Sequence, residues 1–183
     1  MRMIALVFGL ALIASACGGA VVTSSASTPT ERPTALPQAS GADVDVCALI
    51  TAAEAEVVMG QAVTSNLPFS EVDSDYGEMV SSCYYTGKDL TIVVSTVDFG
   101  SAQSASEKLQ IKYGKELAGG EGVTISEEPG LGEKAYWTII ENAGIYTFLK
   151  GSRVFVVGIV GNTGDATVYK ASLLSLAKSV ASK

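Results

Sequence analysis

The chain has 183 residues, of which 48% are hydrophobic, and its formal net charge is -7 with no histidine. This length holds one domain of ordinary size, and the apolar content argues against disorder in the folded part. The acidic balance disfavours nucleic-acid binding, and the lack of histidine removes the commonest general base and zinc ligand, so we predict no nucleic-acid partner, no cofactor and no enzyme activity.

The N-terminus has the layout of an export signal. Arg2 precedes an apolar run from Ile4 to Ile13, which is too short to span a bilayer because a spanning helix needs about 20 residues. Small residues then lead to Cys17, although Ala14 stands where a lipobox usually has leucine. We predict a lipoprotein signal peptide over residues 1–16 and diacylglycerol and palmitate-type acylation of Cys17. The alternative is an ordinary secretory signal cut near Ala16.

Residues 17–42 are predicted to be a disordered tether. They are rich in Ser, Thr, Ala, Pro and Gly and show no apolar periodicity. Such a composition cannot bury enough apolar surface to offset the entropy of ordering. The tether would hold a folded domain, residues 43–183, on the extracytoplasmic face of the cell membrane.

The first half of this domain is predicted to hold a helix, a hairpin and a second helix. Thr51 and Glu54 have capping-box spacing, and Gly60 ends the first helix, whose inner face is Leu49, Ile50, Ala53, Val57 and Val58. The remaining predicted elements are a strand at Ala62–Ser65, a polar acidic loop at Asn66–Glu78, strands at Met79–Thr86 and Leu90–Phe99, and a helix at Ser101–Leu117.

The second half is predicted to be a strand-rich segment followed by a third helix. Strands are expected at 122–127, 134–141, 145–150 and 153–160, and the last is apolar on both faces, which is typical of a central strand. Asp165 caps a final helix whose inner stripe is Val168, Ala171, Leu173 or Leu174, Leu176 and Val180. The order predicts an α+β fold, a mostly antiparallel sheet of six to seven strands with three helices on its faces.

Cysteine usage agrees with an exported domain. With Cys17 lipidated, Cys47 and Cys83 remain as a pair, and a disulfide between them is the default in an oxidising compartment. A redox pair is disfavoured because the two are not in C-x-x-C spacing.

Three short motifs resemble a family of uncharacterised actinobacterial lipoproteins, and the similarity runs from Val44 onward. The motifs are Cys47 to Glu54 with Gly60, then Cys83-Tyr84-Tyr85, then Gly130 to Ala135. Ile50 stands where leucine is common, and Glu133 where aspartate is common. The resemblance implies paired cysteines, a PsbP-like α/β/α sandwich and no established activity, so no catalytic residue is carried over.

Three patterns suggest chemistry without completing a site. Asp73 and Asp75 begin a calcium-type loop, but Tyr84 falls where the bidentate glutamate is required, so a solvated acidic loop is favoured over a metal site. Ser175 and Lys178 match an S-x-x-K pattern without its companion elements, which leaves an envelope hydrolase as a weak alternative. The Gly130–Gly132 stretch lacks a following helix and predicts a turn.

The aromatic residues on the predicted strands are the main hint of binding. Most are expected in the core, and those that face outward would form a recognition surface. The candidates are Tyr84, Tyr85, Tyr136, Trp137 and Tyr146. We predict a membrane-anchored binding or protein-interaction module, with an envelope protein as partner, or alternatively a carrier of a small ligand.

Overall fold

The computed structural model of the chain describes residues 44–73, 77–117, 122–162 and 164–183. The predicted signal peptide and tether, with Cys17, lie outside these residues, as does Asp75. The described chain contains three α-helices, α1 (Ala52–Met59), α2 (Ala102–Leu117) and α3 (Lys170–Ser182). Its strands are β1 (Ser65–Val72), β2 (Met79–Thr86), β3 (Leu90–Asp98), β4 (Val123–Glu127), β5 (Lys134–Ile140), β6 (Ala143–Lys150) and β7 (Arg153–Gly161).

The strands form one sheet in the order β1-β2-β3-β7-β6-β5-β4, and every neighbouring pair is antiparallel. The α+β prediction is therefore confirmed, together with the β2-β3 hairpin and the meander of the last three strands. β7 is the fourth of the seven strands. Its apolar residues on both faces predicted this central position, because helices on both sides of a sheet bury both faces of its central strands.

The two faces of the sheet are covered by different helices. On one face, α1, α3 and a 3-10 helix at Val46–Ala48 pack over a core that includes Ile50, Tyr85, Phe148 and Leu173. The other face carries α2 alone among the described helices, and we call it the α2 face. Ala105 and Leu109 of α2 are buried there in a second, smaller cluster.

The capping box predicted at Thr51 is present. The Glu54 amide donates to Thr51 Oγ1 at 3.2 Å, and the Thr51 amide donates to Glu54 Oε2 at 2.7 Å. Gly60 ends α1 in the left-handed region, with φ of 67°. The capping signals therefore located both ends of this helix.

The inner faces predicted for α1 and α3 are partly wrong. In α1 the buried residues are Ala55, Val58 and Met59, whereas Val57 is 81% exposed, because it lies about 200° around the helix from Ala55. Asp165 caps a 3-10 helix at Ala166–Tyr169 and not α3 itself, so Val168 is exposed. The buried residues of α3 are Leu173, Leu176, Ala177 and Val180, and Ala171 is exposed.

The loop predicted at Asn66–Glu78 is also partly wrong. The preceding strand was expected to end at Ser65, but β1 begins at that residue. Ser65–Val72 pairs with β2 along its whole length, and all eight of its residues are exposed. A strand at the edge of a sheet needs no alternating apolar pattern when neither face is buried, so its polar sequence with Pro68 concealed it.

The turn before β5 depends on a glycine that touches the neighbouring strand. Gly132 has φ of 65°, and a Cβ on it would lie 2.3 Å from the carbonyl oxygen of Leu149. We therefore expect Gly132→Ala to lower the free energy of unfolding by about 2–4 kcal/mol, since left-handed strain adds to a backbone clash. Urea denaturation of both proteins measures the change.

Gly130→Ala is the matched control for this substitution. Gly130 has φ of 80°, but nothing lies within 4 Å of the position of its Cβ. Gly130→Ala should lower the free energy of unfolding by only about 1 kcal/mol, because it adds left-handed strain without a clash. Equal losses in the two variants would show that the contact with Leu149 has no energetic weight.

Candidate functional site

A cleft of about 260 Å³ lies between α2 and the sheet. Ligand pockets span about 300–1,000 Å³, so this cleft suits a small molecule or one end of a larger one. Four strands reach it, β3, β5, β6 and β7, and Val80 of β2 lies at its side. Its position follows from the fold, because α2 covers only part of the α2 face.

The walls of the cleft are mainly branched apolar side chains. Alternation along each strand sends every second residue to the α2 face, and register aligns these residues across the sheet. Val156 of β7 lies opposite Ser95 of β3 and Thr147 of β6. The main apolar lining consists of Val80, Val97, Ile140, Ile145, Val154 and Val156.

Hydroxyl groups interrupt this apolar lining, and those of Thr96 and Thr138 have no hydrogen-bond partner among the described residues. Thr96 lies opposite Phe155, so alternation sends its side chain to the other face of the sheet. Thr138 lines the cleft and is 2% exposed, and no group in the described part of the chain hydrogen-bonds to its Oγ1. By contrast, the hydroxyl of Ser95 lies 2.8 Å from that of Ser82. A buried hydroxyl without a partner costs about 1–3 kcal/mol, so Thr138 stands out as a group that a ligand could satisfy.

Charged side chains from two elements also line the cleft. Lys108 and Lys112 are one turn apart on α2, and Asp73 follows β1. All three also interact with other groups of the chain. The described lining therefore combines an apolar wall with two positive charges and one negative charge.

An ion pair fixes the chain just before Phe99, which lines the cleft. Arg153 Nε donates to Asp98 Oδ2 at 3.0 Å, and the Gly100 amide donates to Asp98 Oδ1 at 2.9 Å. Desolvation raises the pKa of Asp98, but hydrogen bonds from Gly100, Ser152 and Arg153 outweigh it, so the pKa lies below its usual value. The carboxylate therefore stays ionised and holds the ends of β3 and β7 together.

The aromatic recognition surface predicted from the sequence is wrong for four of its five members. Tyr85, Tyr136, Trp137 and Tyr146 are at most 3% exposed, so their rings form no outer surface on which a protein partner could dock. Both faces of the central strands are covered, and alternation therefore buries aromatic residues on either side. Tyr84 is half-buried and remains available at the surface.

The two most deeply buried tyrosines are structural. The Tyr85 hydroxyl lies 2.8 Å from the carbonyl oxygens of both Cys47 and Ile50. Burial, with the nearby negative charges of Asp45 and Glu54, raises the pKa of Tyr85, and burial with Glu128 raises that of Tyr146. Both phenols are therefore neutral at physiological pH.

Of the other candidate residues, one lines the cleft and two lie apart from it. Asp73 lines the cleft, where its amide donates to the carbonyl of Glu78 at 2.8 Å; Asp75 is not described. No cluster of three possible metal ligands occurs among the described residues. Ser175 and Lys178 lie on the exposed side of α3, across the sheet from the cleft.

The residues that form the cleft were not identified from the sequence. Val156 and Thr138 belong to strands that were predicted correctly. Tertiary packing, however, decides which part of the sheet α2 leaves uncovered, and the sequence pattern does not show this. The sequence held one weak signal of a polar site on the sheet, because Thr138, Thr147 and Ser95 are hydroxyl residues within mainly apolar strands.

An exposed apolar surface continues the α2 face beyond the cleft. Leu67 and Phe69 are 61% and 47% exposed, and they lie on β1 opposite Tyr84 and Ser82. The rings of Phe69 and Tyr84 meet edge to face with 6.3 Å between their centroids. Leu67, Phe69 and Tyr84 thus place apolar and aromatic groups between the cleft and the open edge of the sheet.

Comparison with known proteins gives a fold and no family. No protein-family model matches the chain, and no curated protein matches it. Within the described residues, no helix has the length and apolar character to cross a membrane. The fold is similar to the crystal structure of the extracellular domain of PknH from Mycobacterium tuberculosis, with a TM-score of 0.52 and 12% sequence identity. That similarity covers 75% of this chain and 95% of the other chain.

Proposed function

We propose that this protein is an extracytoplasmic, lipid-anchored binding module that takes a small ligand in the cleft beneath α2 and catalyses no reaction. The observation that carries the proposal is the cleft itself, an apolar concavity of about 260 Å³ with a buried, unpartnered Thr138 hydroxyl. A concave apolar pocket with few polar groups is the usual form of a binding site for a small molecule.

Three observations support the location. Cys47 and Cys83 form a disulfide, which persists in oxidising compartments outside the cytoplasm. One solved structure with a similar fold is the extracellular domain of PknH. The sequence up to Cys17 has the pattern of a lipoprotein signal. Anchoring through acylated Cys17 would keep the cleft near the membrane surface.

The chemistry of the lining favours binding over catalysis. Its described part holds one carboxylate, Asp73, and hydrolysis by carboxylates commonly uses a pair. Ser175 and Lys178, the residues of the alternative hydrolase hypothesis, lie on α3 across the sheet from the cleft. A protein partner for the exposed Leu67 and Phe69 remains the competing interpretation.

The proposal predicts that filling the cleft abolishes ligand entry. In the full-length chain carrying Cys17→Ser, so that no acyl chain competes, N-phenyl-1-naphthylamine should bind with enhanced fluorescence. Val156→Phe places a ring in the middle of the cleft floor and should weaken binding by about tenfold or more, because overfilled sites exclude the ligand. Fluorescence titration measures the affinity.

Val93→Phe is the matched control. Val93 is a half-buried valine on the same face of the neighbouring strand β3, but it does not line the cleft. It should bind the fluorophore as the parent protein does. Binding that survives in Val156→Phe, or no binding to the parent, would reject the cleft and leave protein contacts through Leu67 and Phe69 as the remaining interpretation.

A further inference from the structure

The class of ligand can be inferred from the groups that line the cleft, and this step rests on the proposed function. We infer that the cleft takes a small anionic amphiphile, a carboxylate on an apolar body, whose oxygen atoms accept hydrogen bonds from Thr138 and face the ammonium groups of Lys108 and Lys112. Three features of the described lining support it: the apolar wall, the charges on α2 and the unpartnered hydroxyl.

The apolar wall selects for hydrocarbon. Val97, Val154 and Val156 come from the two central strands and offer no hydrogen-bonding side-chain groups. A fully hydrated polar ligand would lose its water here without compensation, since burying an unpaired polar group costs about 1–3 kcal/mol by mutational data. The body of the ligand must therefore be apolar.

The charges on α2 select for an anion. Lys108 and Lys112 are four positions apart on α2 and line the same cleft, so with the single carboxylate of Asp73 the charged lining still sums to +1, two positive charges less one negative. The chain as a whole carries a net charge of -7, which would repel anions elsewhere. Because both lysines also interact with other groups of the chain, the inference uses their charge and not free donors.

The hydroxyl of Thr138 selects for an oxygen acceptor. It is buried and without a partner among the described residues, although a hydroxyl can donate one hydrogen bond. A carboxylate oxygen accepts such a bond more strongly than a neutral group, and bonds to charged groups contribute about 1.5–3 kcal/mol. A simple hydrocarbon would leave this group unsatisfied.

Competition against bound N-phenyl-1-naphthylamine tests the class of ligand. Decanoate, 1-decanol and decyltrimethylammonium share a ten-carbon chain and differ in head-group charge. At concentrations below micelle formation, decanoate should displace the fluorophore at about fivefold or more lower concentration than the cationic analogue, because the lysine charges attract one and repel the other. Equal or better displacement by the cation would overturn the inference.

Two variants separate the roles of charge and hydroxyl. The double variant Lys108→Gln with Lys112→Gln should weaken decanoate about three- to tenfold and leave 1-decanol unchanged. Lys178→Gln, an exposed lysine on α3 across the sheet, is the control and should change neither. A parallel loss of 1-decanol binding would show that the lysines act by packing and would overturn the charge assignment.

Thr138→Val provides a readout that a structural role would not give. Removing an unpartnered hydroxyl should raise the melting temperature of the ligand-free protein, while decanoate affinity falls about tenfold. A loss of stability would mean that Thr138 is a structural group, and unchanged decanoate affinity would remove it from the site. If the fluorophore binds but decanoate has no advantage, this inference fails alone; if the fluorophore does not bind, the proposed function fails first.

Discussion

Trp137→Ala is expected to lower the free energy of unfolding by about 3–5 kcal/mol, the usual range for removing a buried aromatic side chain. Trp137 is 3% exposed and lies directly opposite Tyr146 on β6, with 4.6 Å between the ring centroids. A Cβ on Gly144 would lie 2.4 Å from its ring, which shows how closely the ring rests on β6. Urea denaturation followed by circular dichroism measures the loss.

Two controls test whether the effect comes from packing at this position. Trp137→Phe keeps part of the ring contact and should lose distinctly less stability. Val57→Ala removes an apolar side chain that is 81% exposed and should change stability by less than about 0.5 kcal/mol. A Trp137→Ala loss as small as that of Val57→Ala would contradict its place in the core.

Removing the disulfide is expected to cost about 4 kcal/mol. Cys47 and Cys83 are separated by 36 residues, and closing a loop of this length restricts the unfolded chain by that amount in the chain-entropy model. The double variant Cys47→Ala with Cys83→Ala should therefore unfold at a much lower urea concentration, with a native-like far-ultraviolet spectrum before the transition.

Reduction of the parent protein provides an independent comparison. Dithiothreitol should lower its unfolding midpoint by a similar amount and leave the double variant unchanged. The Tyr85 hydroxyl still contacts the carbonyl oxygens of Cys47 and Ile50, so the folded state should survive reduction. A loss below about 1 kcal/mol would mean that those contacts alone hold the 3-10 helix against β2.

The sequence predicted well those elements whose signals are local. Thr51, Glu54 and Gly60 marked the ends of α1, and the two-sided apolar pattern of 153–160 placed β7 at the centre. The edge strand was missed because neither of its faces is buried and no pattern was required of it. Val168 was missed because α3 begins at Lys170 and not directly after Asp165, and Val57 was missed because tertiary packing decides which face of α1 meets the core.

The candidate site was less predictable than the fold. An aromatic residue on a strand signals burial or binding equally well, and four of the five candidates proved to be core. The cleft arises from the incomplete cover that α2 gives one face of the sheet, and no short stretch of sequence encodes that cover. The role proposed for Thr138 likewise requires that none of its described neighbours accepts a hydrogen bond from its hydroxyl.

The open margin of the sheet at β1 bears on how the protein behaves at high concentration. Pro68 has no backbone N–H, so a second copy of the chain that tried to extend the sheet would miss one rung of hydrogen bonds. Glu71 adds a negative charge nearby, which repels the same edge of another molecule. The apolar side chains of Leu67 and Phe69 can therefore remain uncovered without seeding fibrillar self-assembly.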